Sequence, residues 1–480
     1  MPLHTTSLCN AVVAAYQIHL GDVDISWIIE NRALLSMVMS ILALLVLIMR
    51  AKMHPFPALL IAGLAAALGA GLAPSEAITA VANGMGGTLG GIAAVIGLGA
   101  MFGVLVEHGG GVTALARYVT RGADSALTRW ILGIVGVLVA IPVFFDVAFI
   151  ILFPLILAFA RRFSLAPLAF GLPLLAGLAG AHAFIPPTPG PIAVAQQLQV
   201  DLGWVMLFGV IACVPAALVG GPLFASIAMR KGWLPAGSPL TLGGGEGSEG
   251  HEQSEFDPGV AKTALGLVLL PLTLIIAGAL AGPIGLPEGA LRSVVETAGL
   301  PVIALLLSCG AAFLAMRPAN AEGRQALRNA IEKSLEPVGA VLLVTGAGGA
   351  FKQVLVDTGA GQSLADTALS FGFTPIFCGF LIALLLRIAQ GSATAAMITA
   401  ASLTYPIAAA AALTQPQLAL VAVAIAGGAT ACSHVNDSGF WLINRYFGLT
   451  TMETLKSWSV SATLTGVTGF VVALILYPFV

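Results

Sequence analysis

Charge is scarce in this 480-residue chain: Asp, Glu, Lys and Arg together make up 9% of it. No basic cluster is present to follow a phosphate backbone, so no nucleic-acid partner is expected. Catalytic signatures are missing as well, with no HExxH, no Walker loop, no GxSxG and no dinucleotide fingerprint after a strand. Without a nucleotide site, an ion gradient is the expected driving force, and neither cofactor nor catalytic residue is assigned. The five cysteines, Cys9, Cys213, Cys309, Cys378 and Cys432, are scattered without metal-ligand spacing. They are read as reduced packing residues, and no metal site is expected. No basic segment followed by a short apolar run and a cleavage site opens the sequence, so no removable signal peptide is expected.

Apolar residues are what the chain has in excess. At 58% hydrophobic, with a mean hydropathy of +0.99, it reads as an all-α polytopic membrane protein with membrane lipid as its solvent. Expected spans are 33–49, 55–73, 80–106, 166–184 and 203–229 in one half, and 260–282, 296–316, 336–356, 416–434 and 458–478 in the other. Two stretches, 127–161 and 372–405, are too long for one crossing and too short for two. Each carries a polar break, "PVFFDVAF" at 142–149 and "LRIAQGSAT" at 386–394. They read as re-entrant hairpins whose tips stop inside the membrane, which protein or a water-filled cavity must then satisfy. Treating them so keeps Arg50, Lys52, Arg161, Arg162, Arg230, Lys231, Arg445 and Lys456 on one side, as the positive-inside rule requires.

Five crossings per half make any repeat an inverted one. "VLVEHGGG" at 104–111 resembles "VLVDTGAG" at 354–361, and "IPPTPGP" at 185–191 falls opposite "HVNDSGF" at 434–440. Weak internal symmetry of this kind marks secondary transporters, whose sites form where helices break near the midplane. The expected organisation is an extracytoplasmic segment 1–32, a first repeat 33–230 with a broken helix at 166–202, a flexible cytoplasmic linker 231–259, and a second repeat 260–480 with a broken helix at 416–441. The Gly, Ser and Glu content of the linker is what marks it as one.

The polar residues at these breaks are the candidate site. Asp146, at the first hairpin tip, either loads and releases a proton or accepts backbone N–H groups as a structural carboxylate. Arg387, near the second tip, presents a planar fork suited to a carboxylate, or serves as counter-ion to Asp146. Ser392 and Thr394 in "GSAT", and Thr188 and Gly190 in "TPGP", offer hydroxyls and backbone amides at half-helix N-termini, where an anion is favoured. Ser433, His434, Asn436 and Asp437 in "SHVND" lie at the other break. His182 and His434 either relay protons or bond a backbone carbonyl.

The segments "GMGGTLGG", "FFDVAFIILFPL", "HAFIPPTPGP", "RIAQGSATAAMITAA" and "SHVNDSGFWLINRYFGLTTMETLKSWS" resemble the gluconate permease family of proton symporters. The family's pattern carries Glu at Asp146, His at Thr188 and Pro at Ser438, so the carboxylate is kept with a shorter reach and one ring is lost. The resemblance implies uptake of a small anionic sugar acid with protons across a bacterial inner membrane, by an elevator-type homodimer. On that reading Arg387, Ser392, Thr394, Thr188, Gly190, Asn436 and Ser433 bind substrate, while Asp146, His434, Asp437 and His182 couple protons. The alternatives are a sodium-coupled carrier of di- or tricarboxylates, a D-serine or hydroxy-acid carrier and, from another class, an intramembrane hydrolase.

Overall fold

A backbone in hydrocarbon must satisfy its own N–H and C=O groups, and the apolar runs of this chain do so as helices. The computed structural model describes residues 32–120, 122–235, 258–318, 320–359, 373–435 and 437–480, and every regular element among them is helical. By length and composition seven of these helices can cross a membrane, or eight if Ala290–Gly299 and Pro301–Met316, bent by 77°, form one span. That is fewer than the ten crossings hydropathy suggests. The difference lies in helices that are apolar but short, such as Pro55–Gly69 with 15 residues and Gln415–Thr430 with 16, where a perpendicular crossing needs ~20. The expected N-terminal segment up to residue 31 and the linker residues 236–257 lie outside the described residues.

In the first half, α1 (Arg32–Met49), α2 (Pro55–Gly69) and α3 (Pro74–His108) precede a short amphipathic α4 (Gly111–Val119). Only residues 141–144 separate α5 (Ser125–Ala140) from α6 (Phe145–Phe163). Residues 185–188 then interrupt α7 (Leu168–Phe184) and α8 (Pro189–Leu198), because the prolines at 186, 187, 189 and 191 withhold donors from a continuous ladder. α9 (Leu202–Leu218) passes through a π-helical turn, Val219–Leu223, into α10 (Phe224–Arg230). The Gly220 carbonyl in that turn accepts a 2.8 Å hydrogen bond from Ser461 Oγ, so the wider turn leaves no orphan there.

The second half holds α11 (Pro258–Leu280), α12 (Ala290–Gly299), α13 (Pro301–Met316), α14 (Ala321–Ser334) and α15 (Glu336–Asp357). α16 (Pro375–Gln390) and α17 (Ala393–Ala410) are parted by two residues. Gly391, at φ +78°, ends α16 in the left-handed conformation a side chain would strain. Ser392 then caps α17 by accepting from Ala395 N at 3.3 Å. α18 (Gln415–Thr430) gives way at 431–437 to α19 (Ser438–Phe447). α20 (Thr451–Thr454) and a π-helical turn, Leu455–Ser459, lead into α21 (Val460–Leu476).

Small residues set how these helices pack. A Cβ at Gly177 on α7 would stand 2.2 Å from the Gly133 carbonyl of α5, and one at Gly428 on α18 would stand 2.2 Å from the Phe380 carbonyl of α16. Backbones touch there, as membrane helix pairs favour when side chains are small. The other two arms exchange partners between halves. On one side α8 lies against α17, with Gly190 facing Met397. On the other, Phe149 and Phe153 of α6 meet Tyr446 and Phe447 of α19 edge-on or tilted, Phe153 at 4.9 and 5.2 Å between ring centres. Phe153 is fully buried, so Phe153→Ala is expected to lower stability by about 3–5 kcal/mol. The thermal melt of the detergent-solubilised protein reads this directly, and an unshifted transition would remove the ring cluster as the lock between α6 and α19.

Candidate substrate site

The helix interruptions come together around a cavity of about 490 Å³. Its wall takes residues 144–147 from the α5–α6 tip, Ala179, His182 and Ala183 from α7, and Arg387 and 390–394 from the α16–α17 tip. Thr430, residues 437–439 and Trp458 close the remaining side. Phe145, Ala393 and Ser438, the first residues of α6, α17 and α19, all face it. Three helix N-termini thus turn their positive ends toward one space, an arrangement that favours an anion.

Among the described residues Arg387 is the only guanidinium on this wall, and it is 4% exposed. Its Nη2 donates to Asp437 Oδ2 and its Nη1 to the Gly391 carbonyl, while Nε has no hydrogen-bond partner among the described residues. The sequence offered Asp146 as the counter-ion; the structure gives Asp437 instead, because the end of α16 abuts the cap of α19. Asp437 is heavily engaged: Ser433 Oγ also donates to Oδ2, and Gly439 N donates to Oδ1 at 3.0 Å. Trp458 Nε1 in turn donates to Ser433 Oγ at 2.8 Å. A chain of donors therefore holds Asp437 as both helix cap and ion-pair partner.

Asp146 stands in the first turn of α6, exposed to the cavity with Asp437 on the same wall. His182, on α7, meets Phe144 edge-on with ring centres 6.1 Å apart, and its Nδ1 has no hydrogen-bond partner among the described residues. Ser392 and Thr394 also face the cavity.

The other sequence candidates are placed elsewhere. Thr188 Oγ1 is spent on the Ile185 carbonyl at 2.8 Å, and residues 187–189 border a separate void of about 10 Å³ beside Gly99 and Pro142. Gly190 is packed under Met397. The α8 N-terminus therefore does not open on the main cavity, since the α5–α6 tip covers it. His434 stands behind the wall with Nε2 3.0 Å from the Ile388 carbonyl, joining the α18–α19 break to the end of α16. Ser433 acts through Asp437. Asn436 lies outside the described residues.

Two wall residues escape the sequence reading. Gln390 sits one turn past Arg387, and both polar atoms of its amide head are buried with no hydrogen-bond partner among the described residues. Trp458, inside a π-helical turn, packs tilted against Phe145 with ring centres 5.8 Å apart while holding Ser433. A polar residue beside a helix break was the available signal for Gln390. None marked Trp458, because its partner is 25 residues away.

Residues 32–480 match the sequence pattern of the GntP family permease. The inner membrane permease YgbN of Escherichia coli is 36% identical over 438 residues, covering 90% of this chain and 95% of that one. The low-affinity gluconate transporter of the same bacterium is 35% identical over 444 residues, covering 92% and 98%. The crystal structure of the YdaH transporter of Alcanivorax borkumensis superposes with a TM-score of 0.59 at 14% identity, over 84% of this chain and 89% of that one, a likeness of fold. With a helical fold built for the membrane and a family of permeases around it, the chain is a multi-pass membrane transporter and not an enzyme. It belongs to the GntP permease family.

Proposed function

We propose that this permease takes up a small hydroxylated monocarboxylate, a sugar acid of the gluconate type, together with protons across a bacterial inner membrane. The observation that carries this reading is the charge balance of the cavity: one buried guanidinium, Arg387, faces two carboxylates, Asp437 and Asp146. An incoming carboxylate adds a third negative charge, and a low-dielectric site tolerates it only if a proton arrives with it. Asp146 is the acid free to take that proton, since Asp437 is committed to Arg387 and to the α19 cap. Ser392, Thr394 and the three helix N-termini then serve the substrate's hydroxyls and carboxylate. The relative named for gluconate supports the substrate class.

The transport movement we infer is of the elevator type. Two inverted repeats of five crossings each, the short apolar helices included, would place α5–α8 and α16–α19 in a mobile unit, with the remaining helices as the scaffold of a homodimer. The crossed seating of α6 on α19 and of α8 on α17 supports the mobile unit as one body. Uptake of labelled gluconate into proteoliposomes, with and without an inward proton gradient, is the test. Accumulation is expected only with the gradient, and uptake that requires sodium and ignores pH would overturn the coupling.

A further inference from the structure

A second cavity, about 500 Å³ and as large as the first, lies on the opposite side of the α16–α17 tip. Gln390, Ser392 and Thr394 line both, so the two cavities share these residues as a common wall. The far wall comes from the α1–α2 connection, with Lys52 and His54, and from Val341 near the start of α15. Among the described residues no acid lines this space, and Lys52 makes no ion pair. His54 Nδ1 accepts from Phe56 N at 3.3 Å, which leaves its Nε2–H as a donor. The cavity therefore presents a cation, an imidazole donor and two hydroxyls, with nothing negative to offset them. Gln390 stands in the shared wall, and its amide head has no hydrogen-bond partner among the described residues, a costly arrangement unless another partner visits it.

We propose that this second cavity is a vestibule that binds the transported hydroxy-carboxylate on its way to or from the Arg387 site, with Lys52 as its anion-attracting charge and Gln390 as the part of the shared wall it passes. The inference rests on the transport reading above. A cation at the mouth of a cleft raises the local anion concentration, and salt screens the effect. Lys52→Gln is therefore expected to raise the half-saturating gluconate concentration for proteoliposome uptake about tenfold at low ionic strength, with an unchanged maximal rate. Added salt should raise the wild-type value until the two proteins coincide, and Lys52→Arg should behave as wild type. Wild-type vesicles that fail to take up gluconate would overturn the transport reading and the vestibule with it. Wild-type uptake with half-saturation unaltered in Lys52→Gln, or insensitive to salt in the wild type, would overturn the vestibule alone. Should Lys52→Gln not reconstitute, the wild-type salt titration and His54→Gln, expected to raise half-saturation in the same direction, carry the same two outcomes.

Discussion

Arg387→Met is expected to cut uptake by about 10²–10³-fold and to destabilise the protein. Methionine fills the space left by the aliphatic stem but removes the donor to Gly391 and the counter-charge of Asp437. An uncompensated charge in place of a buried pair costs about 3–5 kcal/mol, and each 1.4 kcal/mol is a factor of ten in binding or folding. The structural and transport parts of this loss are separable. Adding Asp437→Asn to Arg387→Met removes the stranded charge while keeping a cap for α19, so the melting temperature should recover and uptake should not. Arg387→Lys keeps the charge but not the fork; it should fold, with a raised half-saturating concentration. Initial rates in proteoliposomes and thermal melts of the same preparations measure both quantities. Uptake near the wild-type rate in Arg387→Met would remove the guanidinium from the substrate path.

The interruptions of the helices were legible in the sequence because their causes are local. Four prolines between 186 and 191, a glycine at 391 and an acidic cap at 437 each withhold or redirect backbone hydrogen bonds within a turn of where they sit. That polar groups at such breaks gather around one space follows from the expense of leaving them in lipid, and Asp146, Arg387, Ser392, Thr394, Asp437 and His182 do share a wall. What was not legible depends on contacts between distant segments. Arg387 and Asp437 are 50 residues apart, and Trp458 reaches Ser433 across 25. No periodicity records which carboxylate a buried arginine meets, so Asp146 stood as the natural partner. Thr188 and Gly190 share the local signature of Ser392 and Thr394, yet the α5–α6 tip covers one pair and not the other. Helix length misled in a different way. Hydropathy windows join a helix to its polar end, whereas capping by Thr414 stops α18 at 16 residues on one side and the break at 431 stops it on the other.

Asp146→Asn should abolish uphill accumulation while leaving exchange of external for internal substrate. The amide is close in size to the carboxyl and can still donate or accept a hydrogen bond at the head of α6, so the cavity keeps its shape. What it loses is the ability to be charged in one step and neutral in the next. With a permanently neutral group at 146, the loaded unit can still move in both directions, since its charge matches that of the protonated wild type. The empty unit no longer releases a proton, and net uptake stops being driven by the gradient. Exchange needs only the loaded form, so counterflow of labelled gluconate should retain about a tenth or more of its wild-type rate, well short of the 10²–10⁴-fold loss expected of a step that needs the proton transfer. Its dependence on external pH should flatten as well. Asp146→Glu should restore accumulation with an altered pH profile, because the longer arm places the same acid one methylene deeper in the cavity. A merely structural carboxylate predicts the reverse pattern: asparagine would accumulate substrate normally and the longer glutamate would disturb the tip. Uphill uptake by Asp146→Asn at the wild-type level would therefore take Asp146 out of the proton path and leave the coupling to Asp437 or His182.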